Sequence, residues 1–69
     1  MKKTYTVIGL NSDSKNIHNE ICEKLELAQL LLEDLPRNPR IVAGFILNGD
    51  GIMIESAGSP DTLAIYLAK

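Results

Sequence analysis

Ile41-Val42-Ala43-Gly44-Phe45-Ile46-Leu47-Asn48-Gly49-Asp50-Gly51-Ile52-Met53-Ile54-Glu55-Ser56 decides the fold of this chain. Two apolar runs meet at Asn48-Gly49-Asp50-Gly51, residue types that accept the positive φ of a tight hairpin turn. The pattern predicts a strand over residues 41–47 and another over 52–56. In the first, Ile41, Ala43, Phe45 and Leu47 share one face and Val42, Gly44 and Ile46 the other. Both faces are apolar, so both need cover. The second strand is amphipathic by comparison, because Met53 and Glu55 share a side.

Working outward, residues 3–10 alternate Thr4, Thr6, Ile8 and Leu10 against Tyr5, Val7 and Gly9, and read as a first strand. Asn11-Ser12-Asp13-Ser14 reads as a loop that supplies a helix cap. Ile17, Ile21, Leu25, Ala28, Leu32 and Leu35 then recur at spacings of four and three, predicting a helix of roughly five turns. Glu20 and Lys24 would form an i,i+4 pair on it, and Pro36 and Pro39 would end it. Leu27, Leu30 and Leu31 widen its apolar arc beyond one stripe, which points to contact with a second subunit, the alternative being a wide core face. A last helix starts with Ser59 as cap, Pro60 at its first position and Asp61 in its first turn, with Leu63, Tyr66 and Leu67 as its apolar side.

The expected architecture is one α+β domain over residues 1–69 in the order β-α-β-β-α. It is a three-stranded sheet with a long helix, completed by homo-oligomerisation as a dimer or higher. No internal repeat, linker or low-complexity tract is read. A chain of 69 residues hides only about 60% of the surface its unfolded form exposes, and domains of this size usually need a staple. With one cysteine and one histidine, neither an internal disulfide nor an ordinary structural zinc site can be built. Oligomerisation is the staple that remains.

The formal net charge is −2 and the pI about 5.2, which argues against a DNA or RNA polymer or an anionic membrane as partner. No run approaches the ~20 apolar residues of a membrane span, and residues 1–10 lack the uninterrupted apolar core of a signal peptide. A reducing, cytoplasmic setting is expected.

Chemistry-bearing residues are few. His18, Cys22 and Glu26 would share a helical face but lack further ligands or an orienting group, so no metal and no catalytic set is expected, and the chain reads as no enzyme. The 48–51 turn resembles a calcium loop only at its start, since the fifth and twelfth positions are Ile52 and Ser59. Arg37 and Arg40 flank the Asn38-Pro39 kink and are candidates to grip phosphate. Asn48 and Asp50 offer hydrogen bonds to a ligand's edge. Ser59 and Thr62, at the start of the last helix, offer an anion site. Tyr5 and Tyr66 are candidates to stack on a base. No cofactor is expected.

The segment from Arg40 to Ser59, an apolar strand, an Asp-Gly turn, a second strand and a small-Gly step into a short helix, resembles a pattern of very small phage-encoded proteins. Some of these resemble sponges that sequester the cyclic nucleotide signals of bacterial antiphage defence such as CBASS. The resemblance implies a non-enzymatic oligomeric protein in the cytoplasm of an infected bacterial host, binding a cyclic di- or trinucleotide between subunits. The same segment is similar to the centre of roadblock/longin-type domains. That alternative implies a protein–protein interaction module binding a host protein.

Overall fold

The computed structural model describes residues 3–68. In chain order it contains β1 (Tyr5–Leu10), β2 (Asn16–Cys22), α1 (Leu25–Asp34), a 3-10 turn at Leu35–Arg37, β3 (Ala43–Leu47), β4 (Met53–Gly58) and α2 (Pro60–Leu67). All strand pairs are antiparallel, and the single sheet runs β2-β1-β3-β4.

The fold is α+β, but the sheet has four strands and not the three expected. Residues 16–22, expected as the opening turns of a long helix, form β2. Ile17 and Ile21 are the source of the error: a spacing of four returns to the same side of a helix or a strand. Asn16, His18 and Asn19 are weak helix formers, and the turn before them folds the chain straight back onto β1. Glu20 is therefore a strand residue and makes no helical pair with Lys24. Helix α1 is only ten residues long and stops before Pro36, as proline requires.

Both faces of β3 are covered, and this chain supplies both covers. On one face Ala28 and Leu32 of α1, with Leu35, pack against Val7, Cys22, Ile41 and Ile46. On the other, Leu63 and Tyr66 of α2 pack against Ile8, Leu10, Ala43 and Phe45. Burial of β3 thus does not depend on a second subunit. Leu67, expected on the apolar side of α2, is 58% exposed. The α2 cap is as expected: Ser59 Oγ accepts from the Thr62 N–H at 3.3 Å, with Pro60 following. Gly9 and Gly44 are cross-strand partners. A Cβ on Gly44 would lie 2.5 Å from Leu35 Cδ1, and one on Gly9 2.9 Å from Ile41 Cδ1. The missing side chains make the trough that seats Leu35 and Ile41.

The two hairpins are built alike, an internal repeat that the residue pattern did not disclose. Asn11 Oδ1 accepts from the N–H groups of Asp13 and Lys15, both at 3.0 Å. Asn48 Oδ1 accepts from those of Asp50 at 2.9 Å and Ile52 at 3.0 Å. The fourth turn residue is left-handed in each, Ser14 at φ 59° and Gly51 at φ 78°. Ser14 lacks glycine's freedom but is held in place, because its buried hydroxyl donates to the Thr62 carbonyl on α2 at 3.0 Å. Each outer strand bulges at an isoleucine. Ile17 falls between the pairs Gly9–His18 and Leu10–Asn16, and Ile54 between Ile46–Glu55 and Leu47–Met53.

The 37-residue offset that carries Asn11 onto Asn48 carries every one of these positions onto its counterpart. It also exchanges Ile8 with Phe45, which face each other across β1 and β3. A pseudo-two-fold axis therefore passes through the sheet between those residues. The helices break the symmetry, since α1 and α2 lie on opposite faces.

Candidate functional site

Antiparallel pairing of β1 with β3 brings the start of β1 beside the end of β3, where Thr6 faces Leu47. The residues just before β1 consequently meet the 48–51 turn. Lys3, Tyr5, Asn48 and Asp50 line an open hollow of about 500 Å³ there, with Leu25 at the start of α1 and the bulged Ile54 as apolar wall. Asn48 Oδ1 is committed to the turn, so what the residue can offer a ligand is its Nδ2–H donors. Lys3 adds a cation, Asp50 an acceptor, and Tyr5 a ring with a polar tip. Such a hollow can hold a small molecule that carries an anionic group, a flat or apolar body and a hydrogen-bond donor. Lys3, Leu25 and Ile54 were not among the expected ligand residues. Lys3 was within reach of sequence reasoning, because it shares the alternation of Tyr5.

The structure brings Tyr5, Asn48 and Asp50 together but scatters the other candidates. Arg37 sits in the 3-10 turn, and its Nε pairs with Asp34 Oδ1 at 2.9 Å on an exposed surface. It lines a separate groove between β2 and α1 that also contains His18 and Glu20. Arg40 does not join it; it lies at a third hollow, beside Asn11 and Ile17. Ser59 and Thr62 face each other, Thr62 Oγ1 donating to Ser59 Oγ at 3.1 Å, and Thr62 is buried. Tyr66 packs its ring on Phe45 with centroids 5.5 Å apart.

His18 and Cys22 lie on one face of β2, but four residues of strand separate them by roughly 13 Å. His18 Nε2 instead lies 3.4 Å from Glu20 Oε1. Burial pushes the Cys22 thiol above its ordinary pKa, and the nearby Glu20 charge adds to the rise. Since the thiolate is the nucleophile, Cys22 should react with iodoacetamide at pH 8 far more slowly in the native chain than in urea. Equal rates would show that the thiol is neither buried nor shifted.

Of the expected interface leucines, Leu27 is 49% and Leu30 61% exposed, while Leu31 is half-buried at the edge of the β2–α1 groove. Ile21 on β2 is 72% exposed. Among the described residues no helix is long and apolar enough to cross a membrane. No family model, no curated protein and no solved structure matches the chain.

Proposed function

We propose that this chain is a non-enzymatic binding protein that captures a small anionic ligand in the hollow at the 48–51 turn. The observation that carries the reading is the convergence of Lys3, Tyr5, Asn48 and Asp50 on one hollow. In this reading Lys3 and the Asn48 amide take the anionic group, Tyr5 stacks on a planar body, and Asp50 accepts from its polar edge. A cyclic di- or trinucleotide presents all three features. Sequestering one would silence an antiphage signal in the cytoplasm of an infected bacterium. The overall acidity favours such a local site over a polymeric nucleic acid.

Thermal unfolding with a panel of cyclic di- and trinucleotides tests this. A ligand at 100-fold its Kd should stabilise the chain by about 2.7 kcal/mol, and Lys3→Ala should erase the shift without lowering the unliganded midpoint. No shift with any member overturns the cyclic-nucleotide reading. Recovery of intact ligand after denaturation is expected, and recovery of cleaved ligand would make the chain an enzyme.

A second reading, a protein-interaction module, is favoured by the exposure of Leu27 and Leu30, three residues apart on α1. The partner is a host protein or a second copy of the chain. A homo-oligomer built on this stripe should fall to monomer on Leu30→Asp in sedimentation. A monomeric parent chain would remove the self-association form of the proposal.

A further inference from the structure

We infer that the chain carries its small-molecule site twice, once at each hairpin turn, so that two ligands bind one chain independently. This rests on the reading of the 48–51 hollow as a ligand site and deepens it. The hollow at the 11–15 turn, about 450 Å³, is lined by Asn11, Ser12, Ile17, Arg40 and Val42. The same 37-residue offset relates these to the lining of the other hollow. Asn11 corresponds to Asn48, Ser12 to Gly49 and Ile17 to Ile54, while Arg40 answers Lys3 and Val42 answers Tyr5. Each hollow therefore combines one cation, one turn asparagine whose Oδ1 is spent on the backbone, and one bulged isoleucine.

The repetition has a mechanical cause. The approach to β3 is fastened beside the end of β1 by the Val42 N–H, which donates to the Leu10 carbonyl at 2.9 Å. Asn38 Oδ1 accepts from the Arg40 N–H at 2.9 Å and bends the chain so that Arg40 reaches the rim. A bulged residue has no cross-strand partner, which leaves Ile17 and Ile54 available as walls. The differences are equally specific. Tyr5 becomes Val42, and Asp50 lines only the second hollow. The first hollow thus has no stacking ring and no carboxylate, but it holds a guanidinium able to take two phosphate oxygens at once.

The chemistry common to both is a phosphate ester on a body with an apolar face. The two turns stand at opposite ends of strands of five and six residues, roughly 20 Å apart. That is too far for one small molecule to bridge, so occupancy should be additive.

The test is a 1H–15N NMR titration of the whole chain with millimolar 5′-AMP, with adenosine and inorganic phosphate as separate probes. AMP should move two groups of amides, residues 3–5 with 48–54 and residues 11–17 with 40–42. Arg40→Ala should silence the second group alone, and Lys3→Ala the first alone; both side chains are exposed, and neither belongs to the core. Movement confined to the 48–54 group overturns the duplication and leaves the single-site reading standing. Movement in neither group overturns the duplication, and the thermal series with cyclic nucleotides decides the single-site reading separately. Equal movement with adenosine overturns the assignment of Lys3 and Arg40 to an anion.

Discussion

Replacing Gly58 by alanine is expected to leave most of the chain unfolded at room temperature. Gly58 has φ +91°, and a Cβ there would stand 2.4 Å from the Val42 carbonyl oxygen and 2.7 Å from Ala43 Cα. Both contacts are backbone, and both belong to the junction of the sheet. Gly58 pairs with Ala43, and the next residue, Ser59, donates its N–H to the same Val42 oxygen at 2.9 Å. Relief would mean pulling β4 from β3 and α2 from its start. The left-handed backbone costs alanine about 1–2 kcal/mol, and forcing an atom into filled space costs about 1–3 kcal/mol more. A core of this size supplies little more than about 3–5 kcal/mol. Gly51→Ala is the control: φ is also positive, at 78°, but nothing lies within 4 Å of the new atom. It should lose only the backbone cost of about 1–2 kcal/mol. Urea midpoints followed by circular dichroism separate the two, and equal midpoints would refute the clash.

The second large effect is Phe45→Ala. Phe45 is 1% exposed and is among the largest side chains fully inside. It lies beside the pseudo-two-fold axis opposite Ile8 and under the ring of Tyr66. Truncation of a buried phenylalanine costs about 3–5 kcal/mol, again comparable with the whole stability. The loss should fall first on α2, whose inward residues Leu63 and Tyr66 belong to the same cluster. Amide exchange should accordingly rise across residues 60–67 before it rises in α1. Phe45→Leu should keep the fold at a cost near 1.5 kcal/mol. Uniform loss of protection across both helices would show that the two faces of the sheet fail together.

The hairpin over residues 41–56, the Ser59-Pro60 helix start and the two apolar faces of β3 were legible because each rests on local chemistry with one solution. Residues 16–22 were not, because Ile17 and Ile21 satisfy two periods at once. The deciding signal was the Asn-Ser-Asp-Ser turn, whose left-handed position carries serine where glycine would have announced a hairpin. The site divided in the same way. Tyr5, Asn48 and Asp50, chosen by residue type, do line one hollow, but the neighbourhood of Arg37 and Arg40 was inferred from three positions of sequence. One arginine lies in the 3-10 turn, and the other lies beyond Pro39 on the way into β3. Two residues close in the chain are parted by a turn, whereas Lys3 and Asp50, far apart in it, meet.

The Ser14–Thr62 hydrogen bond spans 48 positions of sequence, and that separation has a meaning in time. A chain made from its N-terminus produces the 11–15 turn well before α2. Until Thr62 has left the ribosome and α2 has docked, Ser14 holds its left-handed backbone without the bond that stabilises it. The second turn has a glycine at that position and needs no such help. The earlier hairpin to be synthesised is thus the later one to be secured, and α2 acts as the latch on the 11–15 turn.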